Sequence, residues 1–204
     1  MRITWLGHAC FALESGGYRL ITDPYRDVPG YGPLQTEAHA VFCSHGHFDH
    51  AAVECVTLLP QQRSPFTVTE IPCFHDEVRG AKRGENTIRI FESEGLRIAH
   101  LGDLGHVLSP EQLALLRGID VLLLPVGGIY TIDPAEAKQT ADRIGASITV
   151  PMHYRRGKLG FENLADVEDL LSLYPAQRVR RLTGAAFDPA DIPAGTVLLP
   201  GWEK

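Results

Sequence analysis

The sequence predicts an α+β sandwich, two sheets packed face to face with helices on the outside. Two observations carry this reading. The first half of the chain reads as short strands joined by tight turns, and the second half alternates helices with strands. The 204 residues, 44% hydrophobic and 22% charged, suffice for one well-buried core. No linker, repeat or low-complexity tract divides them, so residues 1–204 are read as a single domain.

The elements follow in order. RITWLG, ACFALE and YRLITD are strands rich in Ile, Leu, Phe, Tyr and Thr, and Ser15-Gly16-Gly17 makes a hairpin turn between the last two. PYRDVPGYGPLQTE, Pro24 to Glu37, is too long and too rich in Gly and Pro for a plain connection and is read as a substrate-facing loop. AHAVFCSH is a further strand, followed by TIRIFES and LRIAHLGD, which turn around Glu94-Gly95. Ser109-Pro110-Glu111-Gln112 supplies a capping Ser, a first-turn Pro and a Gln at the third position, opening a helix to about Arg117. Strand DVLLLPV comes next. Asp133-Pro134-Ala135-Glu136 repeats the start signal for a helix to about Ile144, and SITVPMHY returns as a strand. A last helix is expected over roughly Glu162 to Leu173, on the stripe Leu164, Val167, Leu170 and Leu171. RVRRL and TVLLP close the chain as short strands.

A formal charge of −6 gives no general attraction to phosphate backbones, so long nucleic acid is not an expected partner. The opening MRITWLGHACFAL lacks the features of a secretory leader, and no 18-residue apolar run occurs. A cytoplasmic protein without a membrane span is therefore expected. The sequence leaves homo-oligomerisation open. Cys10, Cys43, Cys55 and Cys73 show no C-x-x-C spacing and read as reduced, mostly buried thiols. Cys43 and Cys73 each precede a histidine of interest by two residues.

Ser44-His45-Gly46-His47-Phe48-Asp49-His50 holds three imidazoles and a carboxylate. Independent draws would produce such a run in about one chain in a thousand. Clustered imidazoles repel one another once protonated unless something binds them, and a metal is the obvious candidate. In extended backbone, residues two apart project to one side, so His45 and His47 can face one ion. After the chain turns at Phe48, Asp49 and His50 suit a second. His75, Asp103 and His153 each sit where a strand ends or a loop begins and supply the missing ligands. A consistent assignment places His45, His47 and His75 on one ion, Asp49, His50 and His153 on the other, and Asp103 between both. Zinc is the first choice for the two divalent ions on imidazole count, with manganese and iron also compatible.

The H-x-H-x-D-H run, Gly102-Asp103 after a strand and Met152-His153-Tyr154 after another together resemble the metallo-β-lactamase superfamily of hydrolases. TWLGHACFAL and Thr22-Asp23-Pro24 are similar to its branch that includes ascorbate-6-phosphate lactonases and the N-acylphosphatidylethanolamine-hydrolysing phospholipase D. The resemblance spans Trp5 to about Arg155. It implies a four-layer αββα sandwich of two mixed, mostly antiparallel sheets with the metals at one edge. Superfamily β-lactamases commonly carry Cys where this chain has Asp103, so antibiotic hydrolysis is not expected. The oxygen-reducing diiron members replace the second histidine of the run with Glu and add a flavin domain, neither of which is found here.

By the same resemblance Asp23 is expected to orient a metal-bound imidazole, and His8 to lie behind the ligands or to touch substrate. His106, three residues after Asp103, is a candidate proton donor, with Asp49 as the alternative proton carrier. Asp76 is expected to support His75, His100 to be structural and His39 to face solvent. Cations gather beside two ligand loops: Arg79, Lys82 and Arg83 after His75, and Arg155, Arg156 and Lys158 after His153. The second group is read as the binding site for an anionic substrate. The expected reaction is metal-assisted hydrolysis of a lactone or phosphodiester in a small molecule, through a bridging hydroxide. The rival readings are a non-catalytic metal-binding sensor or scaffold of the same fold, and a small-nucleotide phosphodiesterase.

Overall fold

The computed structural model describes residues 1–202. Three antiparallel strands open it: β1 (Arg2–Gly7), β2 (Cys10–Ser15) and β3 (Tyr18–Thr22). The turn between β2 and β3 places Gly16 and Gly17 at φ +54° and +79°, the hairpin geometry that their missing side chains permit. After β4 (Thr36–Ala38), β5 (Ala40–Phe42) pairs with β3 in parallel. A late strand, β13 (Ala186–Phe187), adds to β1, giving a five-stranded sheet in the order β13-β1-β2-β3-β5. Strands β4 and β6 (Val56–Leu58) form a separate two-stranded ribbon.

The second sheet has seven strands. An antiparallel half contains β7 (Thr67–Phe74), β8 (Glu85–Ser93) and β9 (Leu96–His100). A parallel half contains β10 (Val121–Pro125), β11 (Ile148–Met152), β12 (Val179–Arg181) and β14 (Thr196–Leu199), in the order β12-β14-β11-β10-β9-β8-β7. Strands β10 and β11 are buried at every residue, as parallel strands covered on both faces must be. By contrast β1 alternates exposed and buried positions, the period of a half-covered strand. Phe42 of one sheet packs on Phe91 of the other at 5.3 Å between ring centroids. His100 Nε2 donates across the same interface to the Ala9 carbonyl at 2.8 Å, the structural role expected of it.

The three α-helices among the described residues all fall in connections of the seven-stranded sheet. Helix α1 (Pro110–Leu115) and α2 (Pro134–Ile144) start at the expected caps, Ser109 and Asp133, each with a complete capping box. Helix α2 packs on β10 and on α3 (Val167–Leu171). The expected helix from Glu162 is thus far shorter. Asp166 is its N-cap, and Ala165 donates its N–H to Gly127 instead of entering a helical ladder.

The sequence reading places no strand over β7, which contains a proline, Pro72. It is tolerated there because β7 is the sheet's edge and needs ladder bonds on one side only. Pro24 to Glu37 does not line the pocket described below, but it braces that edge: the Tyr31 ring lies 6.3 Å from that of His8, and the Arg26 N–H donates to the Phe48 carbonyl. The segment buries Tyr25, Val28, Tyr31 and Leu34 and borders its own surface cavity of about 860 Å³. No helix among the described residues is long and apolar enough to cross a membrane.

Leu123, at the middle of β10, is fully buried. Leu123→Ala is expected to lower the unfolding free energy by about 2–5 kcal/mol, read from urea denaturation. A loss below about 1 kcal/mol would show that the packing around β10 is loose.

Candidate metal centre

One edge of the molecule collects the C-terminal ends of several strands. His8 follows β1, Asp23 follows β3, His45 to His50 follow β5, and His75 follows β7. Asp103 follows β9, Tyr130 lies beyond β10, and His153 follows β11. His8, Asp23, His50, His75, Asp103 and His153 are buried, whereas His45 and Asp49 are half-buried and His47 is exposed.

Ligand-type atoms converge in three overlapping sets, each with all its atoms within 4.8 Å of one another: His45, His47 and His75; His8, Asp49, His50 and His153; and His45, His50 and Asp103. The first two sets contain the two triads that the sequence assigned. Asp103 lies between them, with Oδ1 3.2 Å from His50 Nε2 and Oδ2 3.2 Å from both His75 Nε2 and His153 Nε2. His8 joins the second set more closely than expected. Its Nε2 is 3.4 Å from Asp49 Oδ2 and its ring lies 4.2 Å from that of His153.

Neighbouring groups aim the imidazoles. His50 Nδ1 donates to Asp23 Oδ2 at 2.7 Å, which fixes the orientation of that ring. Asp23 is itself held by the Ser44 N–H and hydroxyl at 2.7 and 2.6 Å. His75 Nδ1 donates to the Tyr130 carbonyl at 2.9 Å. Ser44 adjoins the histidine run, but the sequence reading gives it no role. Tyr130 acts through its backbone, which no side-chain pattern could announce.

The backbone is strained where it delivers these groups. His8, Asp23 and His153 have φ of +52°, +43° and +53°. Left-handed conformations are costly for residues with a Cβ and cluster at functional sites. Gly102 also has positive φ, and a Cβ there would lie 2.3 Å from Asn86 Oδ1 and 2.4 Å from Ser44 Cβ. The same Asn86 oxygen accepts the Asp103 N–H at 3.0 Å, so the bare glycine lets Asp103 settle against its support.

Burial and the carboxylates set the charges. Burial lowers His8 to about 4, with His153 adding to the effect, and lowers His45 to about 3. Burial opposes charge on His50 as well, but Asp103 and Asp23 push it well above the ordinary imidazole value. Against the upward push of burial, His100 and His50 hold Asp23 at about 2. Likewise His153 and His50 hold Asp103 well below the carboxylate range. Both ring nitrogens of His8, His50 Nε2, Asp103 Oδ1 and His153 Nδ1 are buried with no aligned hydrogen bond. Orphaned nitrogen and oxygen donors of this density fit a metal centre.

Other expected site residues lie elsewhere. His106 is carried away because Gly105 packs on the His75 backbone and donates its N–H to the Phe74 carbonyl. Its Nε2 accepts from Phe74 N–H at 3.2 Å and its Nδ1 donates to the Val107 carbonyl at 2.9 Å, leaving no nitrogen for a leaving group. Arg155 pairs with Asp166 at 3.2 Å, and neither it, Arg156 nor Lys158 borders the pocket over the cluster. That pocket encloses about 370 Å³, with Phe48, Phe161, Tyr130 and Arg83 around the ligand candidates. Asp76 does not support the His75 ring. Its carboxylate instead accepts the N–H groups of Val78, Gly80, Lys82 and Arg83. His39 is half-buried rather than solvent-facing, stacked on Tyr18 and accepting the Arg19 N–H. Cys73 Sγ accepts from Asn86 Nδ2, and burial raises Cys43 and Cys73 to about 11.

Comparison with known proteins agrees with this geometry. Residues 2–153 match the family model described as the beta-lactamase superfamily domain. A UPF0173 metal-dependent hydrolase of Methanoculleus marisnigri is 31% identical over 216 residues, covering 90% of this chain and 94% of that protein. Another, of Methanoregula boonei, is 32% identical over 186 residues, covering 76% and 82%. A crystal structure from Thermotoga maritima, named as a candidate Zn-dependent hydrolase of the metallo-beta-lactamase superfamily, superposes with a TM-score of 0.73. Its identity is 35%, over 98% of this chain and 97% of that one.

Gly102→Ala is expected to lower the metal content of the purified protein while leaving far-ultraviolet circular dichroism unchanged; unaltered metal content would show that Asp103 needs no such clearance. Because Asp103 and Asp23 favour the charged form of His50, a cation bound there competes with a proton. Calorimetric titration with metal in buffers of different ionisation heat is expected to show net proton release, and none would mean that His50 is neutral.

Proposed function

The chain belongs to the metallo-β-lactamase superfamily, with relatives among the UPF0173 metal-dependent hydrolases, and from that premise we propose a dinuclear zinc hydrolase. Its substrate is a small molecule bearing an ester-type bond, a lactone or a phosphodiester, together with an anionic group. The observation that carries the reading is Asp103, whose two oxygens touch His50, His75 and His153 and so join the two triads. Kinship with the branch of ascorbate-6-phosphate lactonases and the N-acylphosphatidylethanolamine phospholipase D belongs to the same reading, supported by TWLGHACFAL and Thr22-Asp23-Pro24. So does a cytoplasmic location.

His45, His47 and His75 would hold one ion, Asp49, His50 and His153 the other, and Asp103 would be shared. Divalent ions there supply Lewis acidity, which activates water near neutral pH and polarises the oxygen of the bond to be cut. The chain's own groups do the positioning. Asp23 and the Tyr130 carbonyl fix the ring orientations of His50 and His75. Asp49 borders the pocket, and His8 and His50 keep it ionised against the push of burial. It can therefore accept a hydrogen bond from the attacking water and steer its proton. His8 positions Asp49, filling the space behind the ligands.

His47→Ala is expected to lose bound metal and to lower kcat/KM by about two orders of magnitude or more, the scale of a lost transition-state group. The check is elemental analysis alongside a mixed panel of lactone, thioester and phosphodiester substrates. A variant with full turnover would refute the assignment.

A further inference from the structure

The pocket over the metal centre carries more information than its floor. Phe48 and Phe161 meet edge to face with ring centroids 6.4 Å apart, and Tyr130 borders the same space. Phe48 is 47% exposed and Tyr130 36%, so aromatic surface is left open in a concave site. Tyr130 is fixed at both ends. Its hydroxyl accepts from Asn163 Nδ2 at 2.6 Å, and its carbonyl receives the His75 Nδ1 proton. Just before it stands Ile129, a β-branched residue at φ +54° whose side chain is 61% exposed. That conformation is a genuine outlier for such a residue, and strain of this kind collects where ligands are clamped.

Arg83 completes the wall. Its guanidinium carbon lies 5.7 Å from the centre of the Tyr130 ring. Lys82 is engaged with Glu77 and Arg155 with Asp166, whereas Arg83 forms no ion pair among the described residues and, unlike the other cations beside the two ligand loops, borders the pocket. A half-buried guanidinium beside an aromatic face and next to the metal candidates is placed to receive a carboxylate or phosphate oxygen. The enclosed volume, about 370 Å³, lies near the small end of ligand pockets.

We propose that this wall sets the substrate class: a small molecule with one aromatic or branched apolar group against Phe48, Tyr130 and Phe161, and one anionic group on Arg83. This rests on the hydrolase reading above for the reaction, but the recognition is testable without turnover. The probes are 3-phenylpropionate, propionate and 3-phenylpropionamide, titrated by calorimetry into protein carrying the divalent metal it retains on purification.

Wild type is expected to bind 3-phenylpropionate about tenfold more tightly than propionate, the scale of burying one ring. Phe161→Ala should close that gap, and Phe48→Ala provides the same reading if the first variant does not fold. Arg83→Gln should weaken both carboxylates about fivefold or more while leaving the amide unchanged, as loss of a charge-assisted contact would. Equal binding of the two carboxylates by wild type, or an Arg83 variant that acts alike on carboxylate and amide, would overturn the proposal. If the pattern appears but no lactone, thioester or phosphodiester is cleaved, the recognition stands and the hydrolase reading falls. Cleavage without the pattern overturns the recognition alone.

Discussion

The structure is organised around a carboxylate taken out of water. Asp103 is 2% exposed, and its oxygens meet three imidazoles drawn from three separate segments of the chain. An isolated ion in such a place would be strongly unfavourable, so the arrangement requires positive charge close on several sides. His50 is placed to supply some of it, since Asp103 and Asp23 favour its charged form. The remaining nitrogens, several of them buried without an aligned partner, point to a cation as the natural complement.

Holding that geometry calls for a stiff base. Strands β10 and β11 are buried along their whole length, and the loops carrying Tyr130 and His153 spring from their ends. Left-handed backbone at His8, Asp23 and His153 persists only because the packing around it over-determines the conformation. Three such residues cost on the order of 1–3 kcal/mol each, drawn from the stability of the rest of the fold. Orienting groups reach in from other segments, Ser44 on Asp23 and Asn86 on Asp103, so that Asp103, and His50 through Asp23, are held by more than their own strands.

The histidine run stands out because its spacing is local, Asp103 and His153 because each follows a strand that the sequence announces, and His75 because it opens a loop. Helix starts at Ser109 and Asp133 were equally plain, since capping is written in adjacent residues. What escaped was three-dimensional. Strand β7 went unread, and its Pro72 is tolerated because the strand lies at a sheet edge. Arg155 stays off the pocket wall, and nothing near it in the chain announces that Asp166 folds back onto it. His106 stands close to Asp103 in sequence, yet the contact of Gly105 with the His75 backbone turns it away. Tyr130 contributes a carbonyl, an atom every residue possesses.

The thiols near this edge have a consequence for which elements the protein admits. Neither Cys43 nor Cys73 belongs to the converging donor sets, and burial keeps both thiols in the protonated form, at about 11. The cluster therefore presents only imidazole and carboxylate donors to a passing ion. Thiols kept neutral and shielded are also poor targets for peroxide. The hydrolytic apparatus should accordingly tolerate oxidising conditions that would disable a cysteine-liganded relative.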